Sequence, residues 1–301
     1  MVSDSFKTRR LSIGQGRGMD IFKAGREFVR REGRLVERRL FATLFEGADP
    51  AGVVDTLRGY QNPDGGFGHG LEPDKRCPDS IPLDVETAFD VLLAAGARDD
   101  EMVRRACDWL QSIATPEGAV SLGLPVVEQY PRAEHWGEWT YQPGLNPTAG
   151  LVGRLIELGI DHPWRDQAAA WCAGELENGF PEDAHAMHES MIFLEHQPDV
   201  ELAKVKEWLP KLAYYRAAAD DPSYGVTPLH FAPTPDSVWR PLFDDQQIEG
   251  HLDRLIADQQ EDGGWAITWE PPGAAATLEY RGIVTVGALR TLKAYDRLPL
   301  S

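Results

Sequence analysis

Apolar residues recur at helical spacing along most of the chain. Val53, Val54, Leu57 and Tyr60 fall on one helical face, as do Ile248, Leu252, Leu255 and Ile256. Strand-like alternation of β-branched residues is rare, so the pattern predicts an all-α protein. The helical segments divide by charge. The more apolar ones, 35–44, 85–95, 149–158, 187–194 and 283–292, suit an inner ring. The more charged ones, 20–31, 51–60, 100–111, 164–176, 201–215 and 245–259, suit an outer ring. Five inner helices against six outer ones leave one unassigned, and 237–243 is the expected shortened sixth. Alternating inner and outer helices in this number close an (α/α)6 toroid. No Gly/Ser-rich linker interrupts it, so 19–301 is expected to be one domain behind an N-terminal arm, 1–18.

The turns repeat as well as the helices. Gln61-Asn-Pro-Asp64-Gly65-Gly66-Phe67 and Gln259-Gln-Glu-Asp262-Gly263-Gly264-Trp265 share one spacing and lie 198 positions apart. That separation is about four units of about 50 residues, a length typical of repeat architectures. Weaker copies follow the helices ending near Gln111 and Leu176, at 111–118 and 176–180. Each Asp-Gly-Gly supplies a turn with a residue free to take positive φ where a helix stops. The glutamine can reach orphan backbone groups at helix ends, and the aromatic ring can cover the junction between repeats.

These turns resemble the repeats of squalene-hopene cyclases and the related turns of protein prenyltransferase β subunits. The resemblance runs from about Asp20 to Leu298 and implies a single terpene-cyclase-type toroid. After the first turn, Pro78-Asp79-Ser-Ile-Pro-Leu83-Asp84-Val85-Glu86-Thr87-Ala88 looks like the cyclases' Asp-x-Asp-Asp-Thr-Ala segment. In that family the middle Asp protonates an alkene or epoxide. Aligned on Thr87-Ala88, Glu86 meets the last motif Asp and Val85 takes the acid's place. Aligned on Asp84-Val85, Glu86 takes the acid's place. The resemblance therefore implies an apolar isoprenoid-type substrate, with Glu86 or Asp84 as candidate acid. The prenyltransferases' Asp-x-Cys zinc signature is missing. Asp244-Asp245 lacks the further carboxylate of a diphosphate-binding Asp-rich motif. Neither metal nor cofactor is expected.

Composition narrows the partners. The net charge of -18 repels nucleic acid, which needs basic patches against phosphate. No apolar run approaches the roughly 20 residues that span a bilayer, so no stable membrane anchor is expected. Cys77, Cys107 and Cys172 are odd in number and widely spaced, which suits a reducing cytoplasm. The expected partner is a small, apolar molecule.

In a helical toroid the N-terminal ends of the inner helices ring one mouth of the central space, and five segments fall there. Asp84 and Glu86 could donate a proton from an apolar pocket, or serve as helix N-terminal charges. His185, His188 and Glu189 could transfer protons or simply cap a helix. Trp136 and Trp139, in a long loop, could line a pocket or pack a lid. His230 and Trp239 lie in a proline-rich stretch where the repeat is least regular. Trp269, Glu279, Tyr280 and Arg281 precede the last inner helix, where Arg281 could bind an anion or form an internal ion pair. Paired carboxylates beside tryptophans also suit a carbohydrate-active hydrolase or lyase on a similar barrel. A non-catalytic ligand-binding toroid is the third reading.

Overall fold

The computed structural model describes residues 20–198 and 200–298. The expected arm at 1–18 lies outside the described residues. Twelve α-helices and no strand occur among them. In chain order they are α1 (20–32), α2 (Leu35–Glu46), α3 (Ala51–Leu57), α4 (Pro82–Ala95), α5 (Asp100–Ile113) and α6 (Leu145–Glu157). Then come α7 (Pro163–Asn178), α8 (Ala184–Leu194), α9 (Leu202–Trp208), α10 (Pro228–Phe231), α11 (Asp245–Ala257) and α12 (Ala274–Ala294).

The even-numbered helices form the inner ring. α12 packs on α2, α2 on α4, α4 on α6, α6 on α8 and α8 on α10. The Tyr295 hydroxyl, just past α12, donates to the Ala232 carbonyl just past α10 at 2.8 Å and helps close the circle. The odd-numbered helices lie outside, with α3, α5, α7 and α11 packed on the inner ring or on one another. The fold is the all-α toroid that the periodicity predicts.

One inner helix is not where the pattern put it. The sixth is the single turn α10, whereas 237–243 contains only a 3-10 turn at Arg240–Leu242. Pro228 opens α10, where a proline's missing N–H costs nothing, and Thr227 caps it. Pro233 and Pro235 then bar further helix.

The repeated turns dock each outer helix on the next. Gln61 Nε2 donates to Gly65 O at 2.9 Å within its own turn and to Met102 O of α5 at 2.8 Å. Gln259 Nε2 does the same with Gly263 O at 2.8 Å and Ile21 O of α1 at 2.9 Å. The second turn thus ties the end of the chain to its beginning. Gly65 and Gly263 sit at φ of 98° and 93°. A Cβ at either would overlap the carbonyl of Arg105 or Ala24 on the neighbouring outer helix. Only glycine permits both the turn and this approach. The weaker copies dock likewise. Trp164 Nε1 of α7 donates to Gly118 O at 3.0 Å, and Trp208 Nε1 of α9 donates to Pro181 O at 2.7 Å.

Candidate functional site

The two full turns release the chain toward one mouth of the ring. Residues 67–81 run from the first turn into α4, and 266–273 run from the second into α12. Between α5 and α6 a third excursion, 115–144, lies over the first. Its backbone joins it where Arg76 N donates to Pro131 O at 2.8 Å and Ala133 N to Asp74 O at 2.8 Å. Cys77, Ile81, Val127, Ala133 and Trp136 form a small apolar core beneath.

A buried charge cluster sits at this junction. Lys75 is fully buried, with Nζ 2.9 Å from Glu72 Oε2 and 2.9 Å from Asp84 Oδ2. The ammonium also lies 5.0 Å from the ring centre of Trp136. Burial alone would lower its pKa, but the Asp84 and Glu72 charges outweigh that and raise it. Asp84 also accepts the Glu72 N–H at 2.8 Å. Burial still pushes the Asp84 carboxyl up to about 6, against the pull of Lys75. One lysine therefore balances two carboxylates.

Asp74 is the third carboxylate of the cluster and lacks a charged partner at hydrogen-bond distance. Its Oδ1 accepts the Trp269 indole N–H at 2.9 Å. Its Oδ2 lies 3.6 Å from His135 Nε2, an imidazole whose pKa burial lowers. Burial, then the charge of Glu72, push Asp74 up to about 7. The Trp269 hydrogen bond and Lys75 offset this only in part.

Aromatic rings continue from Trp269. It meets Tyr280 edge-on at 4.7 Å and Tyr224 at 5.8 Å. Tyr224 stacks on His185 at 5.4 Å, and its hydroxyl lies 2.9 Å from His185 Nε2. His230 is accessible to solvent although burial is the main influence on its imidazole, which falls to about 4. Its Nδ1 accepts the Thr227 N–H at 3.0 Å, leaving Nε2–H as the free donor.

Glu86 belongs to a second buried cluster. Two positions beyond Asp84 on α4, it faces α6 and α8 instead of the 72–75 loop. Arg154 Nη1 of α6 lies 2.9 Å from Glu86 Oε1 and 2.6 Å from Glu189 Oε2 of α8. Its Nε lies 2.6 Å from Asp90, whose side chain is 54% exposed. Gly150 makes the room, since a Cβ there would overlap the Glu189 carboxylate. Burial and the Glu189 charge hold Glu86 well above the usual carboxylate range. Burial opposes ionisation of Glu189 too, but Arg154 and a hydrogen bond from His188 prevail and hold it low. Acceptors face both His188 nitrogens, Glu189 Oε1 at 3.1 Å and His230 O at 3.2 Å.

The other expected residues lie at varied depth. Val85, which takes the acid's place in one of the two alignments, is buried in the apolar core. Glu279 pairs with Arg76 at 2.7 Å. Arg281 is held by both Asp262 oxygens, at 2.7 and 2.8 Å, and lies over Phe28, so it braces the second turn. Of the two expectations for Arg281, the internal ion pair is the one formed. Trp239 is packed in the core at 1% exposure, and Trp139 stands 63% exposed on the outer loop. Trp136 is buried over Lys75, away from solvent. Beside Arg281, a groove of about 690 Å³ runs along Asp262, Ile267 and Thr277 to Trp269. Among the described residues, no group of three or more His, Cys, Asp and Glu could hold a metal ion. No described helix is long and apolar enough to cross a membrane.

The sequence pattern missed Glu72, Asp74, Lys75 and Arg154. Arg154 had a signal, as a lone charge within the apolar stretch 149–158. The 72–75 segment, in an aperiodic loop, had none.

No family model matches the chain, and no curated protein matches it. Solved structures do. A protein from Actinoplanes matches with a TM-score of 0.58 and 17% identity, over 93% of this chain and 99% of that one. The type II terpene cyclase MstE from Scytonema, without ligand, matches with a TM-score of 0.55 and 13% identity, over 94% and 99%. A variant of MstE in complex with geranylgeranyl dihydroxybenzoate, its substrate, matches with a TM-score of 0.54 and 12% identity, over 96% and 100%. At these identities the likeness is one of fold, and the fold of this chain is the terpene cyclase-like α-toroid.

Proposed function

We propose that the chain is a terpene cyclase-like enzyme that folds an apolar isoprenoid-type substrate against the aromatic wall and starts cyclisation with a proton. The observation that carries this reading is Asp74, a buried carboxyl whose Oδ1 accepts the Trp269 indole N–H at that wall. Glu86, Asp84 and Asp74 all have pKa values raised by burial. Tyr224, Trp269 and Tyr280 present ring faces and edges within one layer of Asp74. Such faces stabilise carbocations through their quadrupoles. In the reaction a carboxyl O–H adds its proton to a terminal alkene carbon and becomes a carboxylate. The cation closes rings by forming carbon–carbon bonds and is quenched by losing a proton elsewhere. The product is an isomer of the substrate. His188, Glu189 and His230 would orient the substrate.

A second reading draws on the polar groups of the mouth. His135, His185 and the Tyr224 hydroxyl, beside paired carboxylates and Trp269, suit a sugar ligand in a hydrolase or lyase. One experiment separates the two. The purified protein is incubated with geranylgeranyl dihydroxybenzoate, the substrate of the neighbour MstE, with simpler polyprenyl compounds and with oligosaccharides. Products are read by mass spectrometry. An isomeric product of a prenyl compound supports the first reading. Cleaved oligosaccharides with untouched prenyl compounds would replace it by the second.

A further inference from the structure

We propose that Asp74, in the loop before α4, is the group that carries the initiating proton, in place of the α4 carboxyls at the family's motif. This rests on the cyclase reading above. Charge pairing and access both single out Asp74. Three carboxylates, Glu72, Asp74 and Asp84, share one buried cation, and Lys75 reaches only Glu72 and Asp84, both at 2.9 Å. Lys75 is therefore committed to those two. Asp74 has the Trp269 indole N–H on Oδ1 and the half-exposed His135 ring 3.6 Å from Oδ2. Placing a second uncompensated negative charge in this buried cluster is costly, so the proton stays on the unpaired member.

Access points the same way. Asp84 is wholly enclosed and holds its hydrogen bonds inward, to Lys75 and the Glu72 N–H. Glu86 shares Arg154 with Glu189 between α4, α6 and α8, so its proton faces a neighbouring carboxylate. Asp74 instead bonds directly to Trp269, the ring that joins Tyr224 and Tyr280. An acid there delivers its proton at the edge of the aromatic wall, where a cation formed by the transfer is stabilised at once. The charged and titratable groups facing it are Glu72, Lys75, His135, Tyr224 and Tyr280. The acid is thereby supplied by the loop before α4 and not by α4 itself.

The test combines a proton readout with turnover. Asp74→Asn keeps the oxygen that accepts the Trp269 N–H. Infrared difference spectra of the aspartate-labelled protein between pH 5 and pH 9 are expected to show a carboxyl that deprotonates near pH 7, above the Asp84 carboxyl near 6, and Asp74→Asn is expected to abolish the band of higher midpoint. Trp269→Phe, which removes the hydrogen bond favouring the carboxylate, is expected to move the midpoint upward. Turnover of a converted prenyl substrate by Asp74→Asn is expected to fall by at least about 100-fold, the usual scale of a lost general acid. Substrate binding, followed by tryptophan fluorescence, is expected to change little. An unchanged band in Asp74→Asn, or wild-type turnover by that variant, would overturn the proposal and leave the cyclase reading standing. If the wild-type protein converts no prenyl compound, that reading falls, and the infrared band still decides whether Asp74 holds the proton.

Discussion

Lys75 and Arg154 hold the two acidic clusters in place, and each is the single cation between carboxylates. A buried ion group is poor evidence of extra stability, but removing one partner leaves uncompensated charge. Lys75→Met is therefore expected to cost about 3–5 kcal/mol in urea unfolding. Adding Asp84→Asn to it should recover part of the loss, because one stranded charge disappears. Full additivity of the two substitutions would show that they do not interact. Asp74 makes a separate contribution. Its pKa is raised to about 7 in the folded state from 3.8. The folded protein thus binds the extra proton, and the stability it confers is full below about pH 4 and lost as pH rises through about 7. Wild type minus Asp74→Asn, measured by denaturant titration at several pH values, should trace that decline. A flat difference would place the proton elsewhere. Asp84 and Glu86 were legible in the sequence because they flank a recognisable Thr-Ala segment. Asp74 and Lys75 were not, since their meeting depends on how an aperiodic loop folds back on α4.

At the scale of elements, the turns do the joining. Gly263→Ala forces a side chain into a positive-φ position and against the Ala24 carbonyl. Positive φ alone costs of order 1–3 kcal/mol, and the overlap adds to it. Gln259→Ala removes one hydrogen bond within the last turn and the one that links this turn to α1. It is expected to cost about 1–3 kcal/mol. Faster amide exchange should be concentrated in 20–32, and uniform acceleration through all helices would contradict a local closure. These elements were the most readable part of the chain, because Gln-x-x-Asp-Gly-Gly combines a turn with a fixed spacing. The sixth inner helix was not. Prolines read as breakers, yet Pro228 occupies the first helical position, where it is accommodated. The segment 237–243 carried the apolar residues expected of an inner helix, but Trp239, Leu242 and Phe243 bury themselves from an irregular loop.

Over the whole molecule, the ring of helices sets the architecture and the loops at one mouth set the chemistry. The shared fold extends over more than nine-tenths of this chain and of its structural neighbours, while identity stays at 17% or below. That is the expected result when a repeat architecture persists and its loops change. The account's central claim is that a prenyl substrate is isomerised by a proton from the protein. The most direct measurement is conversion of geranylgeranyl dihydroxybenzoate, or another accepted prenyl substrate, in deuterium oxide. The account expects a cyclised isomer carrying one non-exchangeable deuterium at the carbon that received the proton. An isomer formed without deuterium, or no conversion of any prenyl compound, would contradict it.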